Sequence, residues 1–405
     1  MLHESNVTES SSMRPIRNIL VFQGGGALGA YQAGTYEALH KHAIKPDWLA
    51  GISIGAINSA IIAGSPEERR VENLREFWHM VSAGLDFGFL PQDDFNRRLF
   101  KDWAVLAGSI TGVPGFFSPR LLTPSQILLN PDLRISHYDT EPLIKTLERL
   151  VDFERVNRGD VRLSLGAVNV KTGNFAYFDN RNTVLTARHV AASGALPPAF
   201  PPVEIDGEYY WDGGLVSNTP LQYVLAADGC DSDLCIFQVD LFSARGKMPR
   251  DLMEVDARSK EIRYSSRTRM NTDEFARKQI LRRAARRLLD KLAPDLPDDE
   301  DAALLRSVGI EYDVTIVHLI HRAAAYDSHA MDAEFSRSTV EENWKSGYDD
   351  AVRTLTHPKW TRRGKPENGI QIFDLAQAGL RDESGADRSG GSLMREVAQT
   401  KELAR

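Results

Sequence analysis

The chain has 405 residues, 42% of them hydrophobic, and a formal net charge of −7. This length and composition allow one large domain with an extension, or two domains, and exclude a chain that is disordered throughout. The acidic balance argues against a nucleic-acid partner, and two cysteines are too few for a disulfide scaffold or a four-cysteine zinc site.

The N-terminal segment, residues 1–16, is polar and rich in serine and is expected to be flexible. The first apolar stretch, at residues 19–22, is too short for the core of a signal peptide or for a membrane span. The sequence therefore predicts a cytoplasmic location.

Two strand-loop-helix units follow in the chain. Residues 19–23 predict a buried strand that ends at the glycines 24–26, and residues 30–42 predict a helix. Trp48–Ile52 predicts a second strand, and the apolar, small-residue stretch Ile54–Ala63 predicts a helix that packs on a sheet. This alternation is typical of a parallel sheet, so the predicted fold class is α/β.

The remaining segments are predicted from the same signals. Residues 87–139 are rich in Phe, Leu, Pro and Gly without a clear period, which favours an insertion of short helices and loops. The dipeptide Asp206-Gly207 between two short strand patterns predicts a tight hairpin, whose second strand leads into Asp212. Further strands are predicted at residues 161–170, 174–178, 234–241 and 312–320, and long helices at 256–292 and 333–355.

Ser53 lies in the pentapeptide Gly51-Ile52-Ser53-Ile54-Gly55, directly after a predicted strand and directly before a predicted helix. In that setting a tight turn exposes the serine hydroxyl as a nucleophile, and glycine on both sides avoids steric collision. The N-terminus of the helix also favours developing negative charge. A serine that only caps the helix would explain the hydroxyl but not both glycines, so the pattern favours Ser53 as the nucleophile of an acyl hydrolase.

The sequence Gly24-Gly25-Gly26-Ala27-Leu28-Gly29 has more than one interpretation. Bare glycine N–H groups near the serine would bind the oxyanion of a tetrahedral intermediate. The same spacing fits a dinucleotide-binding loop, which needs an acidic residue at the end of the second strand. Ser53 occupies that position, and Asp47 precedes the strand instead. A turn with only a packing role is the third interpretation.

A nucleophilic serine needs a group that accepts its proton, and the usual partner is a histidine backed by a carboxylate. Asp212 ends a predicted strand and is followed by Gly213-Gly214, which would let the serine approach its carboxylate closely. We therefore predict Asp212 as the base, with an ordinary turn as the structural alternative. No histidine has a setting that singles it out, and the alternative triad rests on four of the later ones, His318, His321, His329 and His357.

Four motifs occur in a fixed order: the glycine loop at residues 24–29, the pentapeptide at 51–55, Ala192-Ser193-Gly194-Ala195-Leu196-Pro197, and Asp212-Gly213-Gly214. In order and spacing they resemble the patatin-like phospholipase family over roughly residues 17–241.

That resemblance implies a three-layer α/β/α fold with a mostly parallel sheet and hydrolysis of lipid acyl esters without a metal or another cofactor. It implies a dyad of Ser53 and Asp212 without a catalytic histidine, and an oxyanion hole formed by Gly24, Gly25 and Gly26. Residues 195–197 would help to shape the site. Leu28 departs from the family pattern, which commonly has Arg or Lys at this position.

These patterns also predict the domain organisation. Residues 17–357 form the catalytic domain, with an insertion at about 87–139 and a C-terminal extension at about 242–357, and residues 358–405 form a largely loose tail.

The expected partner is a lipid ester substrate, and the oligomeric state stays open. Residues 274–292 predict a basic amphipathic helix, which can either lie on an anionic membrane or pack on the protein. Its predicted apolar stripe is Ala276, Ile280, Ala284, Leu288 and Leu292.

Overall fold

The computed structural model describes residues 14–85, 94–120, 135–227, 232–265, 267–292, 300–308, 312–322, 331–366 and 369–375. The strands in these ranges are β1 (Ile16–Phe22), β2 (Trp48–Ile52), β3 (Ser118–Pro119), β4 (Tyr138–Asp139), β5 (Arg162–Asn169), β6 (Phe175–Asp179), β7 (Val203–Ile205), β8 (Glu208–Asp212), β9 (Asp233–Asp240), β10 (Val314–Ile320) and β11 (Ile370–Phe373).

The helices in the same ranges are α1 (Ala30–Lys41), α2 (Ile54–Ala63), α3 (Arg70–Val81), α4 (Asp94–Thr111), α5 (Glu141–Leu150), α6 (Phe153–Arg158), α7 (Ala187–Ser193), α8 (Leu221–Ala227), α9 (Leu252–Ser265), α10 (Arg267–Leu292), α11 (Glu300–Val308), α12 (Arg337–Thr356) and α13 (Pro358–Thr361). Among the residues described, no helix combines the length and the apolar character that crossing a membrane requires.

A central sheet has the order β11-β10-β9-β1-β2-β5-β8-β7, with β6 also paired to β5. The strands from β11 to β5 are parallel to their neighbours, whereas β6, β7 and β8 pair antiparallel. The C-terminal ends of β1, β2, β9 and β10 therefore meet at one edge, which we call the carboxyl edge. Loops at this edge of a parallel sheet are the usual place for a binding site.

Alternate side chains of the central strands point to two separate cores. Leu20 and Phe22 of β1 pack with α1, α2, α3, α5 and α12 on one face, while Ile19 and Val21 pack with α8 and α10 on the other. The three-layer α/β/α arrangement with a mostly parallel sheet is thus confirmed.

The predicted hairpin is also present, since β7 and β8 pair antiparallel around Asp206-Gly207. Both turn residues have positive φ, 51° and 79°, as a tight hairpin turn of this type requires.

Two predictions about element lengths are wrong. The long helix predicted at residues 256–292 is two helices, α9 and α10, and the insertion contains the 18-residue α4 rather than short helices alone. The described parts of the insertion are residues 94–120 and 135–139, and its residues 87–93 and 121–134 lie outside the described ranges.

The tail predicted to be loose from residue 358 onward contributes α13 and β11, and β11 extends the sheet next to β10. The reason is local: Ile370 and Ile372 pack against the second core, a contact that the polar average composition of the tail conceals. Residues 376–405 lie outside the described ranges.

Candidate active site

Ser53 occupies the turn between β2 and α2, at the carboxyl edge. Its backbone has φ 57° and ψ −123°, a conformation that costs a non-glycine residue about 1–3 kcal/mol. A Cβ on Gly51 would lie 2.3 Å from the carbonyl oxygen of Gly55, and a Cβ on Gly55 would lie 2.4 Å from that of Phe22. The two glycines of the pentapeptide are therefore required by close backbone contacts, which a capping serine alone would not need.

Ser193, the last residue of α7, holds the strained turn from the side. Its hydroxyl accepts a hydrogen bond from the Ser53 N–H at 3.0 Å and donates one to the carbonyl of Gly166 at 2.6 Å. Ser193 has no exposed surface, so both bonds are protected from water. The motif at residues 192–197 contains this serine, but the sequence gives no sign of its contact with Ser53.

Asp212 ends β8 and is 2% exposed. Burial raises the pKa of its carboxyl group to about 6, and hydrogen bonds from Ser53 and from the Gly214 N–H limit the rise. The bond from the Gly214 N–H measures 2.7 Å. The carbonyl oxygen of Ala195 accepts the Asp212 N–H at 3.0 Å, so the segment predicted to shape the site does contact this residue.

The glycine loop lies directly against Ser53, since a Cβ on Gly24 would be 3.0 Å from the Ser53 Cβ. Asn218 attaches this loop to the segment that follows Asp212. The Asn218 side-chain amide donates to the Gly24 carbonyl at 2.9 Å, and the Gly24 N–H donates to the Asn218 carbonyl at 3.2 Å. The Gly24 N–H is therefore occupied, which corrects the expectation that all three glycines offer a free donor.

Gly25 and Gly26 differ from Gly24 in this respect. Within the described part of the chain, their N–H groups donate to no other protein group. Gly26 has φ +54° and passes so close to Asp332 that a Cβ would lie 2.1 Å from the Asp332 carbonyl oxygen. Only glycine fits there, and the loop is fixed by packing while two of its donors stay available.

Gln23, at the end of β1, supports the loop from below and was also missed by sequence reasoning. Its side-chain oxygen accepts the N–H groups of Leu241 and Phe242 at 2.6 and 3.0 Å, and its amide donates to Thr219 and to the carbonyl of Tyr264, both at 3.0 Å. The signal in the sequence that could have indicated this role is a polar residue at the end of a buried strand, directly before a run of glycines.

The histidines of the alternative triad lie away from Ser53. His318 is in β10, the ring of His321 packs edge-on against Tyr31 at 5.3 Å, and His357 caps α13. The fourth, His329, lies outside the described residues.

Other sequence-derived candidates also take different places. Asp47 is the acidic residue considered for a dinucleotide site. It accepts the Asn18 N–H where β1 and β2 begin, at the edge opposite the carboxyl edge and the glycine loop, which we call the amino edge. The side chain of Leu28 is buried in the core and does not point into the site. Across the described residues, no group of three or more His, Cys, Asp and Glu side chains is arranged to hold a metal ion.

The family models and the related proteins that match this chain agree on one family. A family model described as patatin-like phospholipase matches residues 20–225, and one described as patatin phospholipase matches residues 262–367. A patatin-like phospholipase domain-containing protein of Caenorhabditis elegans is 28% identical over 201 residues, which are 50% of this chain and 12% of that protein. Another from the same organism is 39% identical over 59 residues, 15% of this chain and 5% of that protein. The chain thus spans only a small part of the length of these relatives.

Solved structures with detectable similarity include VipD from Legionella pneumophila, with 14% identity, 96% of this chain and 76% of that chain covered, and a TM-score of 0.33. Human GIVD cytosolic phospholipase A2 is 11% identical, with 56% of this chain and 43% of that chain covered and a TM-score of 0.29.

Proposed function

The chain belongs to the patatin-like phospholipase family, and we propose that it is a serine acyl hydrolase that cleaves acyl esters of lipids with Ser53 as nucleophile and Asp212 as base. The observation that carries the proposal is the position of these two residues at the carboxyl edge, where the buried Asp212 carboxyl group lies close enough to the Ser53 side chain for Ser53 to lower its pKa. The alternative reading of Ser53 as a helix cap is not favoured, because its side chain makes no capping bond to α2.

In the proposed first step, the Asp212 carboxylate takes the proton of the Ser53 hydroxyl while Oγ attacks the carbonyl carbon of the ester. The carbonyl oxygen gains the electron pair and becomes an oxyanion. The free N–H groups of Gly25 and Gly26 are the proposed donors to it, since preorganised donors stabilise such charge without reorganisation.

Collapse of this intermediate breaks the bond to the alcohol oxygen, which leaves with the proton held by Asp212. The acyl group is then an ester of Ser53. A water molecule gives a proton to Asp212 and attacks the acyl carbon, and the second collapse returns the proton to Ser53 and releases the fatty acid. A carboxyl group with a pKa of about 6 is suited to both transfers near neutral pH.

A lipid substrate is proposed from the family, together with a peripheral position at a lipid surface. The headgroup and the position of the cleaved ester are to be found by experiment, as is the choice between water and another acyl acceptor.

The test compares wild type with Ser53→Ala on a panel of phospholipids and lysophospholipids, with fluorophosphonate labelling of the same proteins. Ser59→Ala is the matched control, because this serine of α2 is fully buried and its hydroxyl has no partner among the described residues. We expect Ser53→Ala to lose both fatty-acid release and labelling, and Ser59→Ala to keep both. Unchanged turnover without Ser53 would refute the proposal, and absent labelling with NAD binding in calorimetry would favour the dinucleotide alternative.

A further inference from the structure

An exposed apolar surface with basic neighbours lies at the carboxyl edge, beside the candidate active site. Met248 and Leu252 are 87% and 82% exposed, in the connection from β9 to α9 and at the start of α9. The apolar surface continues into a shallow groove lined by Met248, Val255 and Ile262, so it is a patch and not a pair of isolated side chains.

Several contacts fix this patch next to the site. Leu241 and Phe242, where the connection leaves β9, lie against the glycine loop, since a Cβ on Gly25 would be 2.8 Å from Leu241. The last turn of α9 is bound to the end of β1 through the Gln23 amide and the Tyr264 carbonyl, 3.0 Å apart. The patch and the proposed nucleophile thus face the same side of the molecule.

Cations exceed anions around the patch, with six basic and four acidic residues in the segment 243–263. Arg250 pairs with Glu254 and Arg258 with Glu261, whereas Arg245 and Lys247 form no ion pair with the described residues. Residues 243–250 contain Arg245, Lys247 and Arg250 and no acidic residue. Arg258 fixes the start of this segment by donating to the carbonyls of Ser243 and Ala244. Apolar side chains flanked by cations are the arrangement that binds anionic lipid surfaces.

The basic helix α10 is the competing surface, and its position argues against it. Its residues 279–283 contact Tyr312 and Asp313, which precede β10 at the amino edge: Arg283 meets the Asp313 carboxylate at 2.7 Å, and Gln279 meets the Tyr312 carbonyl at 3.2 Å. A membrane bound there would face away from the carboxyl edge.

The predicted apolar stripe of this helix is also not the side that packs on the protein. Phe275, Gln279 and Leu289 are buried, whereas Leu288 and Leu292 are 52% and 42% exposed. The prediction placed the packing side wrongly because two arginines and a glutamine take part in the contact with the sheet.

We propose that Met248 and Leu252, with Lys247 and Arg245, form the surface through which this protein docks on anionic lipid, with the carboxyl edge facing the lipid. The inference rests on the proposed function for its substrate, although the docking itself is measured separately. Leu215 and Val216, 47% and 40% exposed in the segment after Asp212, are further exposed apolar side chains near the site.

The test uses the full chain and vesicles of phosphatidylcholine mixed with phosphatidylglycerol. Met248→Asp/Leu252→Asp is compared with Leu281→Asp/Leu288→Asp, a matched pair of exposed apolar residues on α10. We expect the first variant to cosediment with vesicles at least about tenfold more weakly than wild type, and the second to bind like wild type. Turnover of a short-chain soluble ester should be equal in all three proteins, while hydrolysis of vesicle lipid should fall only in the first.

Three results would overturn the inference: equal vesicle binding by the first variant, loss of binding in the α10 variant alone, or a dimer in light scattering that only the first variant converts to monomer. The last would assign the patch to a second copy of the chain. Failure of wild type to hydrolyse the soluble ester would count against the proposed function instead, and the vesicle-binding result would still decide the docking surface.

Discussion

Asp212→Asn should reduce activity and raise stability at the same time. Burial raises the pKa of Asp212 from 3.8 to about 6, so the folded state binds this proton more tightly than the unfolded chain does. The resulting stability is fully present below pH 3.8 and is lost as pH rises through about 6. Two pKa units correspond to about 3 kcal/mol, which the ionised carboxylate costs the folded protein at pH 8. Asparagine is neutral and can still accept the Gly214 N–H.

We therefore expect the variant to be more stable than wild type by up to about 3 kcal/mol at pH 8 and by about half of that at pH 5. Turnover should fall by about 100- to 10,000-fold, the usual loss when a general base is removed. In wild type, kcat/KM should decline as pH falls through about 6. Urea unfolding followed by the fluorescence of the six tryptophans measures the first quantity, and release of a chromogenic ester measures the others.

Asp206→Asn is the control, since Asp206 lies in the exposed hairpin turn at the other end of β8 and asparagine tolerates its positive φ. It should change neither quantity. If Asp212 were only a turn residue, Asp212→Asn would keep turnover, which would refute its role as the base. A stability that follows that of wild type at every pH would instead contradict the raised pKa of Asp212.

Three further variants test the supports of the site and the fold. Ser193→Ala leaves the Ser53 N–H without its acceptor, so we expect about 1–3 kcal/mol lower stability in urea and slower fluorophosphonate labelling; unchanged labelling would contradict it. Gly55→Ala places a Cβ 2.4 Å from the last carbonyl of β1, so labelling should be lost before the far-ultraviolet circular dichroism changes. Asp179→Ala removes the carboxylate from the buried Arg162 and should cost about 3–5 kcal/mol of unfolding free energy at pH 7; a loss below about 1 kcal/mol would show that the pair is dispensable.

The central fold was predictable because its signals are local. Trp48–Ile52 is a continuous apolar run, and the residues of α2 are small and apolar, so strand, turn and helix follow from pattern alone. The hairpin at Asp206-Gly207 was predictable for the same reason, since only certain residues tolerate two successive positive φ angles. Ser53 and Asp212 belong to these elements, and their position follows from the elements themselves.

The hydrogen bonds that hold the site in place were not predictable, because they join segments that are far apart in the chain. The contact of Ser193 with Ser53 spans 140 residues, and that of Asn218 with Gly24 spans 194. A serine in a helix or an asparagine in a loop carries no local sign of such a partner. The loss of the Gly24 N–H as a free donor follows from the same long-range contact, so no pattern in the glycine loop itself indicated it.

Burial explains how an aspartate alone could serve as the base. A solvated aspartate, with a pKa near 3.8, would hold the serine proton too weakly to accept it near neutral pH. At the end of β8 the carboxyl group is almost fully enclosed, its pKa is about 6, and its position is fixed by the Gly214 and Ala195 backbone bonds. A histidine would bring that pKa without burial, but it would also need a second carboxylate to orient it. The enclosed aspartate has both properties, a pKa near neutrality and a fixed orientation, in one side chain. Its ionisation in the buried site lowers the free energy of unfolding, and Asp212→Asn should restore that free energy.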